Sequence, residues 1–273
     1  MYQGNNLKRR TFFKLCLTFC SSFLFAANKD KLNMKLKGYN MMKHIPFDSL
    51  YKAEHGWLTS RFHFSFAEYR NPDNMNFGPL RVMNDDIIQA KSGFGKHPHN
   101  DMEIITYIIQ GKLTHEDSMG NKESLGRGSI QYLSAGTGIF HSEMNDSDEE
   151  VRLIQTWIVP DKKGLTPQYG SQEFDFEDRH NKWLHLVGPI GSDVTTEIYQ
   201  DASMYVTELD DNHEIVFEVG TKRQVYFKIM EGTAKVNDLV LQAGDAAEVV
   251  EEDMTITGID KAHILIVEMK KES

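Results

Sequence analysis

The chain has 273 residues with 40 Asp+Glu against 30 Lys+Arg, and its net charge of -10 argues against a basic nucleic-acid footprint. With 40% hydrophobic and 26% charged residues it has enough apolar matter for a packed core and too polar a balance for a polytopic membrane protein. Disordered and membrane-span classes fall away.

In chain order the first feature is a leader. Lys8, Arg9 and Arg10 precede Thr11, Phe12, Phe13 and Lys14, and an apolar stretch then runs from Leu15 to Ala27. Its 13 residues fall short of the roughly 20 that a membrane helix needs and fit the apolar region of a secretory signal. The Arg-Arg-x-Phe-Phe-Lys pattern is similar to a twin-arginine signal, so residues 1–28 are expected to direct export to the periplasm or beyond. The alternatives are an uncleaved anchor, or a start at Met34, Met41 or Met42 and a cytoplasmic protein. Both cysteines, Cys16 and Cys20, lie inside this segment, so no thiolate ligand or disulfide is expected beyond it. The segment carries four basic and no acidic side chains, so without it the charge is -14.

The body of the chain reads as all-β. Runs rich in Val, Ile, Phe, Tyr and Thr at 102–109, 151–159 and 264–269 are separated by Gly, Asn and Asp turns such as Met119-Gly120-Asn121 and Ala243-Gly244-Asp245. Tyr107-Ile108-Ile109-Gln110-Gly111 is echoed by Lys228-Ile229-Met230-Glu231-Gly232 at an offset of 121, and Gly128-Ser129 by Gly244-Asp245 at an offset of 116. Two tandem β-barrels follow, with a boundary near residues 160–185, where Pro160, Gly164 and Pro167 interrupt the strand pattern.

The first repeat carries the chemistry. His97 and His99 are two apart, so on an extended strand both rings project from one face, and by the same parity Glu103 is expected there too. Gly136-Thr137-Gly138 permits a tight turn before Ile139-Phe140-His141-Ser142-Glu143, which puts His141 and Glu143 on one face of a second strand. Three imidazoles and one carboxylate leave open positions on an octahedral ion, as oxygen-activating iron sites require. Spacing alone leaves Glu103 and Glu143 as candidates for the carboxylate. The same spacing applied to the second repeat lands on Glu218, Gly220 and Thr257, so no site is expected there.

His97-Pro98-His99, Glu103-Ile104-Ile105-Thr106-Tyr107, His115-Glu116-Asp117-Ser118-Met119-Gly120 and the run from Ser134 to Glu143 resemble the pirin family of bicupins, and in particular its bacterial members described as quercetin 2,3-dioxygenases. The resemblance extends from about His55-Gly56-Trp57 to the C-terminus. It implies a pair of jelly-roll β-barrels: a metal-binding cupin over residues 40–165 and a degenerate one over 180–273. It further implies one divalent transition metal, usually iron, with manganese, nickel, cobalt, copper and zinc as alternatives. The ligands carried over are His97, His99, His141 and Glu143, with Glu103 close beside them. The implied activity is cleavage of a flavonol-like substrate by dioxygen with release of carbon monoxide, Glu143 serving as both ligand and base. A metal-dependent binding or regulatory role is the alternative, as is another enolisable or catecholic substrate. Export counts against a transcriptional partner.

Other features are expected to be structural. His115, Glu116 and Asp117, like Asp146, Asp148, Glu149 and Glu150, read as solvated loops. Phe62, Phe64 and Phe66 alternate as one buried face of a strand, or else line an aromatic pocket. His55, His63, His180 and His185 have no partner at ligand spacing, while His213 and His263 stand alone.

Overall fold

The computed structural model describes residues 41–271, so the leader read over residues 1–28 lies outside the described residues. From Met42 onward the described residues form one compact unit of twenty strands, with a 3-10 turn at Phe47–Ser49 and one four-residue α-helix, α1 (Phe176–Arg179). No helix among the described residues is long and apolar enough to cross a membrane.

The first half folds as two facing sheets. One has seven strands in the order β12 (Gln168–Gln172), β9 (Ile130–Ser134), β6 (Glu103–Gln110), β11 (Val151–Ile158), β4 (Leu80–Ile88), β3 (Leu58–Phe62) and β2 (Tyr51–Glu54). The other has four, β5 (Ser92–His99), β10 (Ile139–Asn145), β7 (Leu113–Asp117) and β8 (Lys122–Leu125). The second half is built on β17 (Arg223–Val236) and β20 (Met254–Lys270), two long strands that bend from one face of their barrel to the other through register shifts at Glu231 and Thr233. The pairing of two flanking strands ties the halves together. β1 (Met42–Ile45) pairs with β19 (Ala246–Val250) of the second half, and β12, beyond residue 165, pairs with β9 of the first.

The internal repeat is written in the backbone. Gly111 and Gly232 have φ of 76° and 73°, and Gly128 and Gly244 have 82° and 92°, a left-handed region that glycine enters without steric cost. Gly128 N donates to Ile108 O at 2.9 Å and Gly244 N to Ile229 O at 2.9 Å, while Ile108 N donates to Ser129 O at 3.1 Å and Ile229 N to Asp245 O at 3.0 Å. The same turn is therefore made twice, at the two offsets the sequence shows.

Strand alternation sorts side chains between two cores. Ile105, Tyr107 and Ile109 of β6 face the second half and pack in one cluster with Tyr226, Met230 and Leu265, whereas Ile104 and Ile108 face the interior of the first barrel. Each large side chain buried this way contributes about 1.5–3 kcal/mol relative to exposure. Thr106, between Ile104 and Ile108 on the inner face, is the polar member of that row.

Candidate metal centre

Two strands of the four-stranded sheet carry the three histidines. β10 pairs antiparallel with β5 so that His141 lies opposite His97 and Ile139 opposite His99. The ring centroids of His97, His99 and His141 are 4.5–4.9 Å apart. Their candidate ligand atoms all lie within 4.8 Å of one another, the one such group of three or more among the described residues.

The donor set suits a cation. His141 is 1% exposed, yet neither of its ring nitrogens has a hydrogen-bond partner, which is costly unless something else satisfies them. His97 Nδ1 lies 2.8 Å from the Gly95 carbonyl, a contact that places the proton on Nδ1 and leaves the Nε2 lone pair free for an ion. Burial and the neighbouring His141 and His97 push His99 down to about 4, and burial together with His97 and His115 pushes His141 down to about 3. Both are thus neutral at pH 7, the form that ligates.

Glu143 sits on the same face of β10, two residues past His141 and across a register shift, and is 1% exposed. It does not belong to the convergent group. Its Oε1 accepts from Gln131 Nε2 at 2.7 Å and Thr106 Oγ1 at 3.3 Å, and its Oε2 from Gln155 Nε2 at 2.7 Å. A carboxylate has about four lone-pair sites, so these bonds leave room for an ion or a proton. Deeper in the barrel Asp86, hydrogen-bonded by Ser60, is pushed up to about 7 by burial and by the charges of Asp85 and Glu143.

The expectation for Glu103 is corrected. It is fully buried, but its carboxylate accepts from Tyr132 Oη at 2.6 Å and Ser134 Oγ at 2.8 Å, on the face of β6 that carries Ile105 and Tyr107. The parity argument fails because the chain leaves one sheet and enters the other through Asn100-Asp101-Met102, with Asp101 at φ 47°. Glu103 and the imidazoles consequently lie on opposite sides of the seven-stranded sheet.

His115 is also relocated. It lies on β7 rather than in a loop, fully buried, stacked on Tyr169 at 4.2 Å and with its ring 5.4 Å from that of His141. Its Nε2 is 3.2 Å from Asp117 Oδ2, which Asn121 also holds at 2.8 Å. The alternation of Leu113, His115 and Asp117 was the available signal for an inward-facing set. Gln131, Gln155 and Thr106, the partners of Glu143, carry no such signal. The acidic run from Asp146 to Glu150 does lie in the loop between β10 and β11.

Trp157 flanks the centre. Its ring meets His99 edge-on at 4.7 Å and Phe66 at 5.3 Å, and its Nε1 donates to Gln155 Oε1 at 3.0 Å. Phe62, Phe64 and Phe66 do not share one strand face, because β3 ends at Phe62. Phe64 enters the core between the halves, and Phe66 joins Trp157 and Met102 in lining a cleft of about 240 Å³.

Comparison with known proteins decides the family. The Pirin family model matches residues 38–158, and the model described as the quercetinase C-terminal cupin domain matches residues 173–269. The chain belongs to the pirin family. It is 40% identical to a pirin-like protein of Caulobacter vibrioides over 84% of this chain and 99% of that one. It is 41% identical to a quercetin 2,3-dioxygenase of Escherichia coli strain K12 over 73% of this chain and 86% of that one. The crystal structure of a bacterial pirin from Escherichia coli in complex with nickel(II) superposes with a TM-score of 0.80 at 35% identity, covering 85% of this chain and all of the other. Like those pirins, this chain is a bicupin of two jelly-roll barrels.

Proposed function

We propose that this pirin is a metal-dependent dioxygenase that opens a flavonol such as quercetin with dioxygen and releases carbon monoxide. One divalent ion, iron for preference, would be held by His97, His99 and His141 with Glu143 beside it. The observation that carries this reading is the convergence of three imidazoles, two of them held neutral and one with both nitrogens unpartnered in a buried wall. The quercetin 2,3-dioxygenase among its relatives supplies the substrate class. When bound, the metal supplies Lewis acidity and redox reactivity toward dioxygen.

The chain's own residues do the rest. Glu143 takes the proton of the flavonol 3-hydroxyl, and the amide groups of Gln131 and Gln155 keep its carboxylate aimed while it does so. Trp157 gives the substrate an aromatic wall against His99. Oxygen then adds across the heterocyclic ring, which opens with loss of one carbon as carbon monoxide. Export through the twin-arginine-like leader belongs to the same proposal, and fractionation of cells making the full chain tests it.

The deciding experiment follows oxygen uptake and carbon monoxide release from quercetin with protein of measured metal content. Turnover should scale with bound iron and vanish in a His97→Ala, His99→Ala variant, and Glu143→Gln should keep the metal while losing most turnover. A fully metallated protein that leaves quercetin and oxygen untouched would falsify the flavonol reading.

A further inference from the structure

The cleft beside Trp157 has an unusual charge. The residues that line it include Arg70 and Arg81 and no Asp or Glu, in a chain whose net charge is -10. Arg81 donates through Nη1 to the carbonyls of Ser65 at 2.7 Å and Met75 at 3.0 Å. Arg70 is exposed and makes no hydrogen bond or ion pair with another described residue.

The loop that presents Arg70 is built rather than loose. Ser65 N donates to Asn74 O at 2.8 Å, Ser65 Oγ both donates to Asn71 O and accepts from Asn71 N at 2.8 Å, and Tyr69 N donates to Phe66 O at 2.8 Å. Tyr69 is stacked on Tyr51 at 4.8 Å. The backbone that carries Arg70, a cation without a partner among the described residues, is thereby fixed at an aromatic-walled cleft, one indole ring away from His99.

We infer that this cleft is the recognition site of the metal centre and takes a planar aromatic molecule carrying an anionic oxygen, with Arg70 setting the preference. The inference rests on the reading that the histidine centre acts on aromatic substrates. A guanidinium offers a carboxylate or phenolate paired N–H donors, and Phe66 and Trp157 offer ring faces and edges. The volume, about 240 Å³, lies below that of sites for drug-sized ligands. A single substituted ring therefore fits, and the larger part of a flavonol would extend toward the histidines.

Anaerobic calorimetric titration of the metal-loaded full chain with 3,4-dihydroxybenzoate and with catechol isolates the anionic group, since the two differ only by a carboxylate. At low ionic strength the benzoate should bind about tenfold more tightly than catechol, Arg70→Gln should bring the two within about threefold, and Arg70→Lys should fall between. Equal binding by the unaltered protein overturns the inference, and so does a tenfold preference that survives Arg70→Gln, which would place it on Arg81 or the metal instead. Without oxygen no turnover enters the measurement. A protein that shows the preference but never consumes quercetin keeps this inference and loses the flavonol reading, and the reverse result does the opposite.

Discussion

Glu143 shows how a buried carboxylate can be held in place by neutral partners. Its partners are two neutral amides and a hydroxyl, which satisfy its oxygens without the opposing full charge that an ion pair would bring. Gln155 has a second task, because its Oε1 accepts from Trp157 Nε1 and so links the orientation of Glu143 to that of the ring against His99. Gln155→Leu removes both bonds at similar volume. Hydrogen bonds to a charged group are worth about 1.5–3 kcal/mol, so turnover should fall by about 10- to 100-fold. Metal content should be unchanged, because no imidazole loses a partner. Metal analysis alongside quercetin turnover checks this, and a parallel loss of metal would mean that Gln155 supports the ligands instead.

At the scale of the element, the site depends on β5 and β10 meeting in one register, and the turn before β10 sets that register. Gly136 has φ 45°, and a Cβ there would run into the Leu165 carbonyl. Gly136→Ala should cost about 2 kcal/mol or more in a urea melt and weaken metal binding, because the strain is relieved only by displacing the strand that carries His141. A variant as stable as the parent would show that the 165–167 segment yields instead. His97 with His99, and His141 with Glu143, were legible because a two-residue spacing on a strand reports a shared face, and the repeat was legible because Gly111 and Gly232 mark the same left-handed turn. Glu103 was misplaced because parity cannot be carried through Asn100-Asp101-Met102, where the chain changes sheets. His115 was missed because Glu116 and Asp117 make its run look solvated, although its alternation with Leu113 pointed inward. Nothing local could place Gln131 and Gln155, or the exchange of β1 and β12 between halves, since these depend on which distant strands pair.

Across the whole molecule the two barrels are joined by buried polar contacts as well as by an apolar core. Lys228 of the second half is fully buried, donates to Gly244 O at 2.6 Å and lies 3.2 Å from Asp85 of the first, which Arg152 holds at 2.9 Å through both its Nε and Nη2. Burial opposes the charge on Asp85, but Lys228 and Arg152 together keep its carboxyl well below the usual range. Elsewhere Tyr107 Oη lies 2.9 Å from His263 Nε2, His63 Nδ1 lies 2.9 Å from Tyr226 Oη, and Arg127 Nη2 donates to Glu231 at 2.7 Å. With such ties crossing the junction, neither barrel can open without exposing groups the other satisfies, and urea unfolding should show a single transition by fluorescence and circular dichroism alike. Asp85→Asn leaves the Lys228 ammonium buried with its charge no longer neutralised, and should cost about 3–5 kcal/mol. Removing the lysine as well, in Asp85→Asn with Lys228→Met, should recover a large part of that loss, because the cost lies in the unpaired charge rather than in the missing pair. A double variant no more stable than Asp85→Asn alone would place the penalty on Arg152, the other cation that Asp85 holds.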